Sequence, residues 1–166
     1  MANAQPGDHA LGPSGTARGF IPVDLGMGQT MYAIDRNFGF DSSWVVLARA
    51  NAAMEIEELR AHRLHTALTF LNGFAPLDDG YLVAGSSYGF SNYPFVMKTD
   101  FIGSVDWYMT PIDLEYGQDQ MNAVFTSGAN FTCYTYPGGT FRNGMYRFNG
   151  NASQGIQSGA EIVTDF

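Results

Sequence analysis

Two nearly adjoining stretches, Asp78-Asp-Gly-Tyr-Leu-Val-Ala-Gly-Ser-Ser87 and Phe95-Val-Met-Lys-Thr-Asp-Phe-Ile-Gly-Ser-Val-Asp-Trp-Tyr-Met109, decide how this chain is read. Asp78-Asp79-Gly80 is a tight-turn signal. Tyr81 to Ala84 is a short β-favouring run closed by Gly85-Ser-Ser. Phe95 to Asp100, the Gly103-containing turn and Val105 to Met109 then read as strand, turn, strand, with Asp100 placed to accept hydrogen bonds from the turn backbone.

Working outward, the pattern recurs. The segments ending at Asn51, Asp100 and Asn149 each carry an apolar-rich strand candidate into an Asn or Asp, at a spacing of 49 residues. The same shift places Met31-Tyr-Ala-Ile34 on Gly80-Tyr-Leu-Val83 and on Ala129-Asn-Phe-Thr132. With Ala123 to Ser127 opening the third unit, each repeat holds four strands. Even spacing, Gly-rich turns and aromatics at fixed offsets suggest about three propeller-like blades. Residues 1–19, rich in Gly and Pro, read as a flexible arm, and residues 20–166 as a single β-repeat domain.

Residues 52–71 support a competing expectation. Ala52 to Leu71 is rich in helix formers, follows a possible N-cap at Asn51 and stops at Asn72-Gly73. Strand alternation through Glu55 to Leu59 is poor. Repeat register predicts strands here and local propensity predicts one helix, which leaves a β-sandwich with a single helix as the alternative fold.

The middle unit resembles the repeat of bacterial and protist surface β-propellers, in which a Val-Ala-Gly-Ser strand precedes a Lys-Thr-Asp-X-X-Gly-X-X-X-Trp hairpin. Here those positions are Val83 to Ser86, Lys98, Thr99, Asp100, Gly103 and Trp107, within residues 74–110. The resemblance implies four-stranded blades and roles in adhesion, scaffolding or binding. It carries over no catalytic residue, because the pattern consists of fold residues. The first unit has Ala48-Arg-Ala-Asn51 in place of Lys-Thr-Asp and lacks the turn Gly. The third has Ala129-Asn130 and Cys133 in place of the Gly-Tyr and Ala-Gly pairs.

Composition narrows the partner class. The net charge is -8, charged residues make up 14%, and Phe, Tyr and Trp together make up another 14%. A single lysine, Lys98, leaves no basic stripe to neutralise phosphates, so nucleic acid is not an expected partner. The sequence shows no apolar run of membrane-spanning length, so no membrane insertion is expected. One cysteine, Cys133, excludes an intrachain disulfide, and no Cys/His spacing makes a zinc site. No cofactor is expected. An extracellular, cell-surface or virion setting is favoured over a cytosolic one.

Residues with chemical potential are few. His62 and His65, three apart, would share a helical face, but no third ligand stands near them, so they read as a solvated face and no metal is assigned. Glu55, Glu57 and Glu58 read as exposed surface, and Asp78 with Asp79 as turn residues. Cys133 reads as a small buried hydrophobe. Asn130 and Asn151 head Asn-X-Ser/Thr sequons and are candidate glycan acceptors. The aromatics Phe38, Phe40, Tyr88, Phe90, Tyr93 and Tyr136 are expected in inter-strand loops, as contact residues for protein partners.

Catalytic motifs are absent from the sequence. Three blades are too few to close a ring of the usual 4 to 8. The expected function is therefore a non-catalytic structural or binding scaffold subunit, completed by self-association or a larger complex. A virion or filament shell subunit is the alternative, and a small carbohydrate-active or hydrolytic enzyme the remote one.

Overall fold

A computed structural model describes residues 16–37, 43–53, 55–64, 68–88, 92–110, 120–136 and 144–163. These residues are mainly β, and no helix occurs among them. Twelve strands follow in chain order: β1 (Thr16–Gly26), β2 (Gln29–Asn37), β3 (Ser43–Ala50), β4 (Ile56–Leu64), β5 (Leu68–Leu77), β6 (Gly80–Tyr88), β7 (Asn92–Thr99), β8 (Val105–Met109), β9 (Gln120–Ser127), β10 (Asn130–Tyr136), β11 (Gly144–Asn151) and β12 (Gly155–Val163). They form three four-stranded antiparallel sheets, β1 to β4, β5 to β8 and β9 to β12, each ordered as its strands succeed one another along the chain. Residues 16–19, which composition assigned to an N-terminal arm, lie in β1.

The turn into the last strand of each sheet is built the same way. Asn51 Oδ1 accepts from the backbone N–H of Ala53 and Glu55 at 2.9 and 3.0 Å. Asp100 Oδ1 accepts from Ile102 and Ser104 at 3.0 and 2.7 Å. Asn151 Oδ1 accepts from Ser153 N–H at 3.0 Å. A short Asx acceptor satisfies turn donors that the ladder cannot reach, which is why Asn or Asp stands at all three.

These turns correct the repeat register. Asn151, not Asn149, is the partner of Asn51 and Asp100, so the spacings are 49 and 51 residues. The opening hairpins align Gln29, Gly80 and Asn130, the first residues after each turn, at spacings of 51 and 50. Tyr81 therefore corresponds to Phe131 rather than to Asn130. A one-residue slip of this kind would turn every side chain of the strand to the wrong face.

The helix expected over 52–71, and with it the sandwich with one helix, is not formed. Residues 56–64 are β4, paired with β3 from Ala50↔Ile56 to Ser43↔Leu64, and residues 68–77 belong to β5. Burial and ladder pairing override local propensity: Ala61 is buried on the sheet, and β3 would otherwise present an open edge. A bulge explains the poor alternation. Glu58 faces Ala48 and Arg60 faces Leu47, so Leu59 is the extra residue that shifts the phase of the apolar pattern.

The sheets pack face to face in one direction. Phe74, Tyr81, Val83, Phe95 and Met97 on the rear face of the middle sheet pack against Met31, Ala33, Val45 and Leu47 of the first. Leu77, Leu82, Ala84 and Val96 on its forward face pack against Met121, Phe131, Cys133 and Phe148 of the third. Alternate residues of β6 and β7 thus enter different cores, which accounts for continuous apolar runs in place of alternation. The first strands of the sheets lie side by side. Gly73 in β5 lets β9 approach, since a Cβ there would stand 2.6 Å from Val124 Cγ1.

Truncating Phe95, which is fully buried, is expected to cost about 3–5 kcal/mol. Truncating Ile102, 61% exposed on a turn, is expected to stay within about 0.5 kcal/mol. Urea denaturation of Phe95→Ala and Ile102→Ala, followed by circular dichroism, measures both.

Candidate functional site

The last strand of each leading sheet reaches the Asx turn of the next. Trp107 on β8 donates its indole Nε1–H to the carbonyl of Ala152 at 2.7 Å, and its ring lies 5.8 Å from that of Phe131. Met109 Sδ accepts from Ile156 N–H at 3.3 Å. On β4, His62 Nε2 lies 2.7 Å from the carbonyl of Gly103. A carbonyl can only accept, so Nε2 carries the proton. Gly103 has φ of 86°, and a Cβ would stand 2.9 Å from Arg60 Cγ, so both the conformation and the contact require glycine. Trp107→Phe keeps an aromatic ring, loses the pyrrole half of the indole and removes the donor. It is expected to lower stability by about 0.5–1.5 kcal/mol, read as a fall in the denaturant midpoint.

Lys98 is a second fixed point. Its ammonium is buried, bonds Asp106, and lies 3.1 Å from Asp79. Burial works to lower its pKa, but the hydrogen bonds and charges of Asp106 and Asp79 outweigh it, so the group is held above its ordinary range. This contribution to stability is complete below the unfolded lysine value of 10.5 and is lost as pH rises through the higher folded value. Replacing both partners by Asn leaves a buried ammonium without a counter-charge. The Asp79→Asn/Asp106→Asn double variant is expected to lose about 3–5 kcal/mol at neutral pH. It should recover part of this as the pH is raised and Lys98 sheds its proton, whereas the Lys98 contribution in the unmodified chain is flat over that range, as thermal melts from pH 7 to 10 would show.

The remaining sequence-derived residues divide by position. Phe38, Phe40 and Phe90, expected as loop contact residues, lie outside the described residues, as does His65. Tyr88, Tyr93 and Tyr136 are strand residues rather than loop residues: Tyr88 pairs with Leu68 and Asn92, Tyr93 with Ser87, and Tyr136 with Gln120. Asn130 and Asn151, the sequon residues, are cross-strand partners joined by a 3.1 Å side-chain bond. Asn151 Oδ1 is also the turn acceptor, so its amide belongs to the local scaffold.

Cys133 is fully buried between the middle and third sheets, and burial alone pushes its thiol up to about 12. A neutral, enclosed thiol is not a nucleophile. The folded chain is expected to resist a thiol-specific alkylating reagent at pH 8 and to react once unfolded, as mass spectrometry would show. Because the unfolded thiol ionises first, near 9.0, this group makes folding less favourable as pH rises from there toward 12.

A groove of about 390 Å³ is lined by Gln29, Arg49, Asn51, Glu55, Ile56 and Glu57. Arg49 and Glu57 within it are paired with each other at 2.8 Å. No group of three or more potential metal ligands occurs among the described residues.

The outer faces of the end sheets hold what the sequence did not single out. Phe20 on β1 is 67% exposed and meets Tyr32 edge-on at 6.0 Å. Phe125 on β9 is 61% exposed and meets Tyr134 in the same way at 5.9 Å. Both sit in strands, where an aromatic reads as ordinary core. Strand pairing places Phe20 on the same face as Ile34 in the first sheet and Phe125 on the same face as Thr132 in the third. Comparison with models of known protein families gives no match, and comparison with curated proteins gives none.

Proposed function

We propose that this chain is a non-catalytic scaffold subunit whose three sheets act as propeller-like blades within a larger protein assembly. The observation that carries the reading is the one-way stacking of the sheets. Each forward face is matched to the rear face of the next, so any finite stack ends in two different faces, each prepared for a further sheet. Exposed Phe20 and Phe125 on those two faces fit contact with protein, where aromatics are enriched and lysine is depleted.

The Lys-Thr-Asp-X-X-Gly-X-X-X-Trp positions support the same reading through their roles. Lys98 is the buried cation, Asp100 the turn acceptor, Gly103 the required glycine and Trp107 the link to the next sheet. Such a pattern organises a blade and its neighbour and supplies no reacting group. An assembled subunit is expected to show a native mass above that of the 18.1 kDa chain. Light scattering coupled to size-exclusion chromatography measures it, and a stable species of single-chain mass would overturn the reading.

A further inference from the structure

We infer that the turn end of the first sheet is a docking site for a short cationic, apolar segment of a partner protein. The inference rests on the scaffold reading for the class of its partner and places the contact apart from the faces of the sheets. Gly26 pairs with Gln29, so Met27 and Gly28 form a two-residue hairpin loop, and both have positive φ, 51° and 73°. Such a loop favours Asn-Gly. Met27 is instead a bulky residue held in a conformation that L side chains resist, and no other non-glycine residue among the described residues has positive φ. Its side chain is fully exposed, so no contact within the chain offsets the strain. The corresponding loops of the middle and third sheets, Asp78-Asp79 and Gly128-Ala129, carry only short side chains. Strain that no internal contact offsets points to an external one, and a flexible thioether suits such a contact.

The surface beside Met27 supplies the rest of the site. A Cβ on Gly28 would stand 2.9 Å from Ala52 Cβ, so the hairpin loop lies against the turn that leads into β4. Gln29 and Asn51, next to these two turns, line the groove of about 390 Å³, and Ile56, 65% exposed, is its apolar wall. Its charged groups are Arg49, Glu55 and Glu57. Arg49 and Glu57 neutralise each other at 2.8 Å, whereas Glu55 Oε2 accepts from the neutral amide of Asn51 at 2.7 Å. One negative charge of the groove is therefore uncompensated, on a chain whose net charge is -8. A partner Lys or Arg matches this arrangement, with its aliphatic stem along Met27 and Ile56 and its cationic head at Glu55. An anionic segment would be repelled by both the groove and the chain. Lys98 shows the same chemistry inside the fold, a cation held by carboxylates at the corresponding end of the middle sheet.

The probe is a phage-displayed library of random peptides, selected on the unmodified chain and counter-selected on Met27→Asn. Enriched peptides are expected to combine Lys or Arg with aliphatic residues. Their binding should weaken about tenfold in Kd on Met27→Asn, Ile56→Thr or Glu55→Gln, fall with added salt, and be unchanged by Phe125→Ser on the third sheet. Met27→Asn should at the same time raise the urea midpoint, because Asn accepts positive φ, whereas a Met27 that serves the fold would lower it. Enrichment of acidic peptides, the absence of peptides that depend on Met27, or a urea midpoint that falls overturns the inference. So does a native mass that drops on Met27→Asn, which would make the occupant a second copy of this chain. Binding of neutral phosphatidylcholine vesicles through Met27 in place of peptides would make it a lipid surface and overturns the inference too. The scaffold reading is tested separately by the native mass of the unmodified chain, which the peptide result does not touch.

Discussion

The structure depends on one constraint: the middle sheet buries both of its faces, each against a different neighbour. Val83, Phe95 and Met97 go one way and Leu82, Ala84 and Val96 the other, all essentially inaccessible to water. Removing a Val, Leu, Phe or Met side chain of this kind from water contributes about 1.5–3 kcal/mol, and the Ala84 methyl less. The six together therefore outweigh any polar contact described above. The polar contacts act differently. They fix how one sheet sits on the next, through Trp107 to the turn of the third sheet and His62 to the turn of the middle one.

Much of the fold was legible in the sequence where turn chemistry and pattern agreed. The hairpin of Phe95 to Met109 falls where its Asp100 and Gly103 place it, and the four-strand unit holds in all three sheets. The flanking units were harder for a physical reason. Their turns and loops differ by one or two residues, so a gapless 49-residue shift aligns the Asx turns of the first two sheets but misses Asn151 and misplaces Phe131. Three-dimensional pairing tolerates such changes in loop length, whereas a constant shift does not. The bulge at Leu59 had a similar effect, breaking the alternation that would have identified β4 and leaving its helix-forming composition as the louder signal.

The candidate site was less legible than the fold. The aromatics expected as contact residues lie between the strand candidates of the sequence, whereas in the structure Tyr88, Tyr93 and Tyr136 belong to strands. Phe20 and Phe125 carry no such signal in the sequence, because an aromatic in a strand is ordinarily buried. Their exposure follows from position in the stack rather than from local sequence: Phe125 and Ala75 occupy matching places in their sheets, and the middle sheet has a neighbour over that face. Cys133 illustrates the reverse case, a residue whose chemistry is suppressed by its packing between the middle and third sheets.

If shared faces hold the molecule together, its sheets cannot unfold one at a time. The two tryptophans allow this to be measured, because Trp44 lies on the first sheet and Trp107 spans the middle and third. Equilibrium urea unfolding of Trp44→Phe and Trp107→Phe, each followed by the fluorescence of its remaining tryptophan and by circular dichroism, should give coincident transitions for both signals within each variant. Separate transitions for the two signals would contradict a fold built on a middle sheet that belongs to both cores.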